Sequence, residues 1–197
     1  METMPLDKIV RWAPPFDVPV CYSKGTLRDD QIEACLAKKP DRLIPLEEHG
    51  NTLCVVGYGP SLLQTWEKIR RPMITTSGAH DFMLEKGIVP DIHTDMDPRQ
   101  YKTQFIRNPQ PECVYVMATC CHPDTWGILK DQAVVIYHLL FNKSTVPWVK
   151  KNDPQSLVLV SGSAAGLSAI AIGHTLGFRK FECFGFDCSK QDGARHA

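Results

Sequence analysis

Short apolar runs alternate with helix-like segments from residue 53 onward, and this alternation limits the folds open to the chain. The runs are rich in β-branched and aromatic residues, which is the pattern of buried strands in a parallel sheet. Predicted strands cover residues 53–57, 73–76, 91–96, 114–118, 133–140, 157–160 and 180–184. Predicted helices cover 62–69, 80–86, 98–107, 123–129 and 164–176, with a polar loop at 142–155. This order predicts an α/β fold, a Rossmann-like three-layer sandwich with a mostly parallel central sheet.

The N-terminal part of the chain has a different character. It is punctuated by prolines, which predicts an extended arm, and residues 28–39 form a helical pattern ended by Pro40. We therefore expect an N-terminal arm with a short helix over 1–50 and a Rossmann-like nucleotide-binding domain over 51–197. The polar stretch 191–197 adds no closing helix, so we also expect a domain truncated at its C-terminus.

The charge balance excludes some classes of partner. Lysine plus arginine and aspartate plus glutamate number 22 each, so no excess positive charge would attract nucleic acid or an anionic membrane. No apolar run approaches the roughly 20 residues that span a bilayer, and the start of the chain lacks a signal-peptide pattern. The sequence predicts a cytoplasmic protein without a membrane span or a nucleic-acid partner, and leaves the oligomeric state open.

Eight cysteines raise the question of a metal site. The cluster that most resembles one is Cys120-Cys121-His122, but adjacent cysteines do not easily ligate one zinc ion tetrahedrally. Cys54, Cys113 and Cys183 lie in apolar runs, where a thiol behaves as a small hydrophobic group. Reduced structural thiols are therefore the better interpretation.

The turn after the first strand of the alternating region reads GYGPSL. Gly57 and Gly59 allow a close approach of the backbone to a phosphate or ribose, while Pro60 and Ser61 start a helix. The alternative is a plain strand-to-helix turn. A dinucleotide fingerprint would need glycine in place of Leu62, and no Walker A motif is present, so NAD and P-loop chemistry are disfavoured. We predict that this turn binds a nucleotide.

Two other strand ends carry small and hydroxylated residues. The further nucleotide-binding candidates at these ends are Ser77, Gly78, Ser161, Gly162 and Ser163. Because parallel strands end at one edge of a sheet, these residues are expected near the glycine turn. Small residues at these strand ends also allow a helix to pack closely on the sheet. Nucleotide binding and close packing are compatible with each other.

Carboxylates cluster after the predicted strand at 91–96. Asp95 and Asp97 would point the same way on an extended segment, and Mg²⁺ prefers carboxylate and phosphate oxygens. The alternative is that Asp97 caps the following helix. Magnesium is the candidate metal, and the sequence establishes no cofactor with certainty.

The order of these motifs resembles the DUF115 family. The motifs are GPSL, TSG, GIxPD followed by DxDP, SGSA and LGFxKxxxxGxD, and they span residues 53–188. That family includes archaeal 6-hydroxymethylpterin diphosphokinase-like proteins and flagellin motility-associated glycosyltransferases. The GPSL block and the C-terminal block are also similar to bacterial sialyltransferases that use CMP-sugars.

The resemblance implies a Rossmann-like nucleotide pocket. It implies that the glycine turn faces the nucleotide, that Ser77 and Gly78 lie beside its ribose or base, and that Asp187 lies at the rim. The sialyltransferases have asparagine before the GPS glycine, where this chain has Tyr58. Their base is a histidine beyond the last strand, where this chain has His196. Candidate bases are His196, Asp187 and His80.

Three functions remain open from the sequence. The preferred one is a transferase that uses a nucleotide-activated sugar. The runner-up is a Mg²⁺-dependent diphosphokinase of the 6-hydroxymethylpterin type, with Asp95 and Asp97 on the metal and Arg99 or Lys102 on phosphates. The third is a non-catalytic nucleotide-binding module.

Overall fold

The computed structural model describes residues 25–161 and 164–187. Eight strands form its sheet: β1 (Asp41–Arg42), β2 (Thr52–Val56), β3 (Met73–Thr76), β4 (Ile92–Thr94), β5 (Val114–Ala118), β6 (Ala133–Leu139), β7 (Val158–Leu159) and β8 (Lys180–Phe184). The α-helices are α1 (Gly25–Leu36), α2 (Leu62–Thr65), α3 (Ala79–Glu85), α4 (Pro123–Ile128), α5 (Thr145–Asn152) and α6 (Ala165–Thr175). Two 3₁₀ helices cover Trp66–Lys68 and Gln100–Phe105.

Every strand pair in the sheet is parallel, in the order β1-β6-β5-β4-β3-β2-β8, and β7 pairs with the end of β6. In the register, Val55 of β2 lies opposite Ile74 of β3 on one side and Cys183 of β8 on the other. The chain returns from β7 to β8 through α6, which crosses β4, β3 and β2. A methyl group on Gly173 would lie 2.6 Å from a methyl carbon of Leu53, so a small residue allows this close crossing.

The core explains why the sheet is parallel. Strand residues are buried on both faces, with Leu53, Val55, Ile74, Tyr115 and Met117 all fully buried. Strands that are apolar on both sides need helices on both sides, and parallel strands with helical crossovers provide them. The predicted Rossmann-like α/β fold is confirmed.

Some predicted elements were wrong in detail. The predicted loop at 142–155 contains α5, which buries Val149 against the body of the protein. The helix predicted at 98–107 is the 3₁₀ helix Gln100–Phe105, and the helix predicted at 62–69 is α2 followed by the 3₁₀ helix Trp66–Lys68. Strand β1 was not predicted.

Residues 25–50 contact the main body of the protein. Strand β1 pairs with β6, and α1 buries Ile32 and Cys35 in the main core cluster. The proposed boundary at residue 50 stays a prediction. Among the residues that the structure describes, no helix is both long and apolar enough to cross a membrane.

Candidate functional site

The glycine turn lies against the segment that follows β8. The backbone N–H of Gly57 donates to the carbonyl of Phe184, and that of Gly59 donates to the carbonyl of Gly185, each at 2.8 Å. A Cβ atom on Gly57 would lie 2.6 Å from the Gly185 oxygen, and one on Gly59 would lie 2.6 Å from Asp187 Oδ2. Both glycines are therefore required by the close approach of two chain segments. Their contact with a nucleotide stays a prediction.

Asp187 holds the beginning of α2. Its Oδ2 accepts the backbone N–H of Ser61 at 2.7 Å, and its Oδ1 accepts the Ser61 hydroxyl. Pro60 is buried beside this contact. Asp187 thus lies next to the glycine turn, and both of its oxygens have partners. Its place at the rim of a nucleotide pocket stays a prediction. A role as catalytic base would require it to release Ser61.

Tyr58 connects the ends of β2 and β3. A Cβ atom on Gly78 would lie 2.2 Å from Tyr58 Cε1, so glycine leaves room for the tyrosine ring. The same ring makes an edge contact with Phe105, with centroids 6.1 Å apart. Ser77, just before Gly78, has a φ of 49°, an uncommon conformation for a residue with a side chain. The sequence drew attention to Tyr58 only as the residue in place of the sialyltransferase asparagine, and its packing role was not predicted because its partners lie on other elements.

Lys102 reaches the same edge from the 3₁₀ helix Gln100–Phe105. Its Nζ donates to the hydroxyl of Ser77 at 2.8 Å and lies 3.6 Å from Oδ2 of Asp95. It also lies 4.7 Å from the centroid of the Phe105 ring. The structure therefore brings an ammonium group to the ends of β3 and β4.

The two aspartates proposed for magnesium have protein partners. Asp95 is buried, and its Oδ1 accepts the backbone N–H groups of Met96 at 2.7 Å and Asp97 at 3.0 Å. Burial raises the pKa of Asp95, although Lys102 and the two backbone N–H groups act in the opposite direction. Asp97 accepts the Nε of Arg99 at 2.8 Å and its backbone N–H at 3.0 Å.

These contacts do not fit a magnesium site, because each carboxylate already lies beside a cation of the chain. Within residues 25–161 and 164–187, no group of three or more histidine, cysteine, aspartate or glutamate side chains is placed to hold a metal. Such a site normally needs several oxygen ligands directed at one point.

His80 is fully buried on α3. Its Nδ1 lies 2.8 Å from Asp81 Oδ1, and its Nε2 lies 3.0 Å from the hydroxyl of Tyr115 on β5. Its ring also contacts that of His93, with centroids 5.0 Å apart. A base must reach the acceptor hydroxyl, and a side chain without exposed surface does not. The structure places His80 in the core, where it connects α3 to the sheet.

Ser161 faces the protein interior. Its hydroxyl lies 2.7 Å from that of Ser168 on α6, which in turn donates to the sulfur of Met96 at 3.0 Å. Gly162, Ser163 and His196 lie outside the described residues. The predicted phosphate or sugar role of this segment stays a prediction.

The beginning of α6 approaches the end of β8. A Cβ atom on Gly166 would lie 2.4 Å from Phe186 Cε1, so the helix packs directly on that ring. The candidate site therefore comprises the carboxyl ends of β2, β3, β4 and β8, with α6 beginning beside them. This is the edge at which open α/β sheets bind ligands.

A second polar network lies at the end of β6. His138 Nδ1 is 2.9 Å from the Thr119 hydroxyl, and its Nε2 is 3.2 Å from Asp153 Oδ2. His138 also contacts Trp148, with centroids 5.9 Å apart, and both line a cavity of about 180 Å³. Burial lowers the pKa of His138, although Asp153 acts to raise it.

Residues 32–193 match the model of a protein family described as 6-hydroxymethylpterin diphosphokinase MptE-like. The match covers most of the 197-residue chain. The chain belongs to this MptE-like family. The predicted family relationship is thereby confirmed. Every predicted site residue except His196 lies within the match.

A solved structure supports the fold of this MptE-like chain. The MAf glycosyltransferase from Magnetospirillum magneticum AMB-1 superposes with a TM-score of 0.60 at 18% identity. The alignment covers 84% of this chain and 28% of that one, so this chain spans little more than a quarter of that protein. No curated protein matches the sequence. The likeness to sialyltransferases stays a prediction.

Proposed function

We propose that this MptE-like chain is a nucleotide-dependent transferase, with a nucleotide-activated sugar as its preferred substrate. One observation carries the proposal: the glycine turn, Ser77 and Asp187 converge at one edge of a parallel sheet, although they are far apart in sequence. Ligands of open α/β sheets bind at this edge. The fold that the chain shares with a MAf glycosyltransferase is consistent with sugar transfer. A cytoplasmic location is part of this proposal.

In such a transfer the acceptor hydroxyl attacks the anomeric carbon of the sugar. The bond from that carbon to the phosphate oxygen breaks, and the nucleotide leaves with the electron pair. A base takes the proton of the acceptor, and positive groups or N–H donors stabilise the leaving phosphate. His80 lacks exposed surface and Asp187 is held by Ser61, so His196 is the preferred base of this proposal.

The runner-up is a diphosphokinase, which the description of the matched family favours. In it a hydroxyl would attack the β-phosphorus of ATP, a base would take the hydroxyl proton, and AMP would leave with the bridging oxygen. Mg²⁺ would shield the phosphates. The contacts of Asp95 with Lys102 and of Asp97 with Arg99 count against these carboxylates as its metal ligands. Dependence on Mg²⁺ therefore separates the two functions.

A thermal-shift panel tests the proposal. CMP, CDP, UDP, GDP, AMP and ATP are each added to the protein with Mg²⁺ and with EDTA. A ligand at about 100 times its Kd adds about 2.7 kcal/mol to the free energy of unfolding, which is a readily measured shift.

We expect a response to a nucleotide in EDTA, followed by sugar transfer from the matching donor. An ATP response that needs Mg²⁺ would favour the diphosphokinase. Binding without turnover of any donor would indicate a binding module, and no response to any nucleotide would contradict the proposal.

A further inference from the structure

Lys102 places a positive charge inside the candidate site. Its side chain is only 15% exposed, and lysine is rarely buried unless it is paired. The carboxylate of Asp95, 3.6 Å from Nζ, compensates the charge. Asp95 is fixed in turn by two backbone N–H groups on its other oxygen. The ammonium group is thus held in position by a buried and oriented carboxylate.

The ammonium group retains hydrogen-bonding capacity. A lysine Nζ has three N–H donors. Within the described part of the chain, its one hydrogen bond is to the hydroxyl of Ser77 at 2.8 Å. The Asp95 oxygen at 3.6 Å is within ion-pair distance but too far for a normal hydrogen bond. The remaining neighbour of Nζ is the Phe105 ring, whose centroid lies 4.7 Å away. A ring face is a weaker acceptor than a phosphate oxygen, so the ammonium group can still bind an acceptor that comes from outside.

The Lys102 donor lies at the carboxyl edge of the sheet, where open α/β folds bind their ligands. Ser77 directly follows β3 and precedes Gly78, on which Tyr58 of the glycine turn packs. Lys102 therefore contacts the residue that precedes Gly78, and the packing of Tyr58 on Gly78 joins the ends of β2 and β3. Phosphate oxygens are strong acceptors for a charged donor, and an incompletely exposed ammonium is less screened than one at the surface.

We propose that Lys102 is the cation that this site presents to the phosphate of its ligand, in the place that a divalent metal takes in other phosphate-binding sites. The inference rests on the proposed nucleotide function and specifies how the phosphate is recognised. Asp95 then orients Lys102, and Arg99 neutralises Asp97. Phosphate binding in this site is accordingly independent of metal.

Isothermal titration of the full chain in EDTA tests this, with CMP, cytidine and inorganic pyrophosphate as probes. For Lys102→Gln we expect the affinities for CMP and pyrophosphate to fall about 10- to 100-fold, the usual effect of losing a charged hydrogen bond. The affinity for cytidine, which has no phosphate, should stay unchanged. Lys130→Gln is the matched control, because Lys130 is an exposed lysine just before β6, at the opposite edge of the sheet.

The single variant leaves Asp95 buried without its cation, so a second variant separates binding from folding. Lys102→Gln combined with Asp95→Asn removes both charges, and we expect it to melt near the wild-type temperature yet bind CMP as weakly as Lys102→Gln. Unchanged affinity for both phosphate probes in the folded double variant would overturn the inference. So would phosphate binding that requires Mg²⁺.

The same titrations distinguish failure of the nucleotide function from failure of the Lys102 phosphate site. If the wild-type protein bound pyrophosphate through Lys102 but no nucleotide, the anion site would stand and the nucleotide function would fall. If it bound neither pyrophosphate nor any nucleotide of the thermal-shift panel, both would be contradicted.

Discussion

At the scale of single residues, Gly59 lies where two chain segments touch. A Cβ atom there would lie 2.6 Å from Asp187 Oδ2 and 2.7 Å from the Gly185 oxygen, and the latter is a backbone atom that cannot rotate away. We expect Gly59→Ala to lower the free energy of unfolding by about 1–3 kcal/mol, because the turn must move to relieve the overlap. Urea denaturation measures this change.

Gly127→Ala is the matched control for that variant. Gly127 lies on α4, it is exposed, and a Cβ atom there would meet nothing within 4 Å. Alanine also favours a helix over glycine by up to about 1 kcal/mol, so this variant should be neutral or slightly stabilising. Equal effects of the two substitutions would show that the glycine turn is not tightly packed.

The residue scale also shows why only part of the site was predictable. Gly57, Gly59, Ser77 and Asp187 follow apolar runs, and a local pattern is enough to place them at strand ends. Lys102 follows no apolar run, and the sequence named it only as an alternative to Arg99 for phosphate contact in the diphosphokinase. Its contact with Ser77 depends on β3 lying beside β4 and on a 3₁₀ helix bending back over the edge, which are long-range features.

At the scale of elements, a buried charge network connects β1, β6 and the end of α5. Asp153 accepts the Nε of Arg42 at 2.9 Å and lies 3.2 Å from Nε2 of His138. Burial acts to raise the pKa of Asp153, but hydrogen bonds from Ser156, Arg42 and His138 outweigh it and lower that pKa. The charged carboxylate is therefore part of the folded structure.

We expect Asp153→Ala to lower the free energy of unfolding by about 3–5 kcal/mol, because it leaves Arg42 and His138 without their shared partner. Urea denaturation with the matched change Asp131→Ala provides the comparison. Asp131 is exposed, and its pair with Lys130 is 3.9 Å long, so its loss should change stability by less than about 1 kcal/mol. Similar losses for both variants would mean that the buried network contributes no more than a surface pair.

Elements were predictable where their apolar pattern is local and strong. Strands such as β2 and β5 are buried along almost their whole length, so their sequences alone identify them. Helix α5 has the opposite character: half of its residues are polar, it contains Pro147, and Val149 is its single buried residue. Packing against the folded sheet stabilises this helix, and a short stretch of sequence read by itself does not show such tertiary contacts.

At the scale of the whole molecule, buried histidines make stability depend on pH. Burial is the main cause that lowers the pKa of His93, well below its usual value, and His80 and Lys102 add to the effect. The Nε2 atom of His93 has no hydrogen-bond partner within the described residues. Burial also lowers the pKa of His138. Both rings are therefore neutral in the folded protein at neutral pH.

The sign follows from proton binding. In the unfolded chain a histidine takes up a proton near pH 6.5, whereas in the folded protein these two rings take it up only at lower pH. The unfolded state thus binds more protons as pH falls below about 6.5. We expect the contribution of His93 and His138 to the free energy of unfolding to be nearly constant from about pH 8 to 7. Below about pH 6.5 it should fall by up to about 1.4 kcal/mol per pH unit for each histidine.

Urea denaturation between about pH 7.5 and 5.5 measures this slope, in a range above the usual titration of carboxylates. Asp95 is the exception, because burial raises its pKa and proton uptake by the folded protein acts against the histidine slope. His93→Gln removes the group whose pKa is lowered most, so the slope should fall to half that of the wild-type protein or less, whatever the stability of the variant at pH 7.5. The slope is the decisive quantity, because a merely structural loss at residue 93 lowers stability equally at every pH. An unchanged slope would show that His93 takes up its proton equally in both states, and would contradict the neutral buried ring.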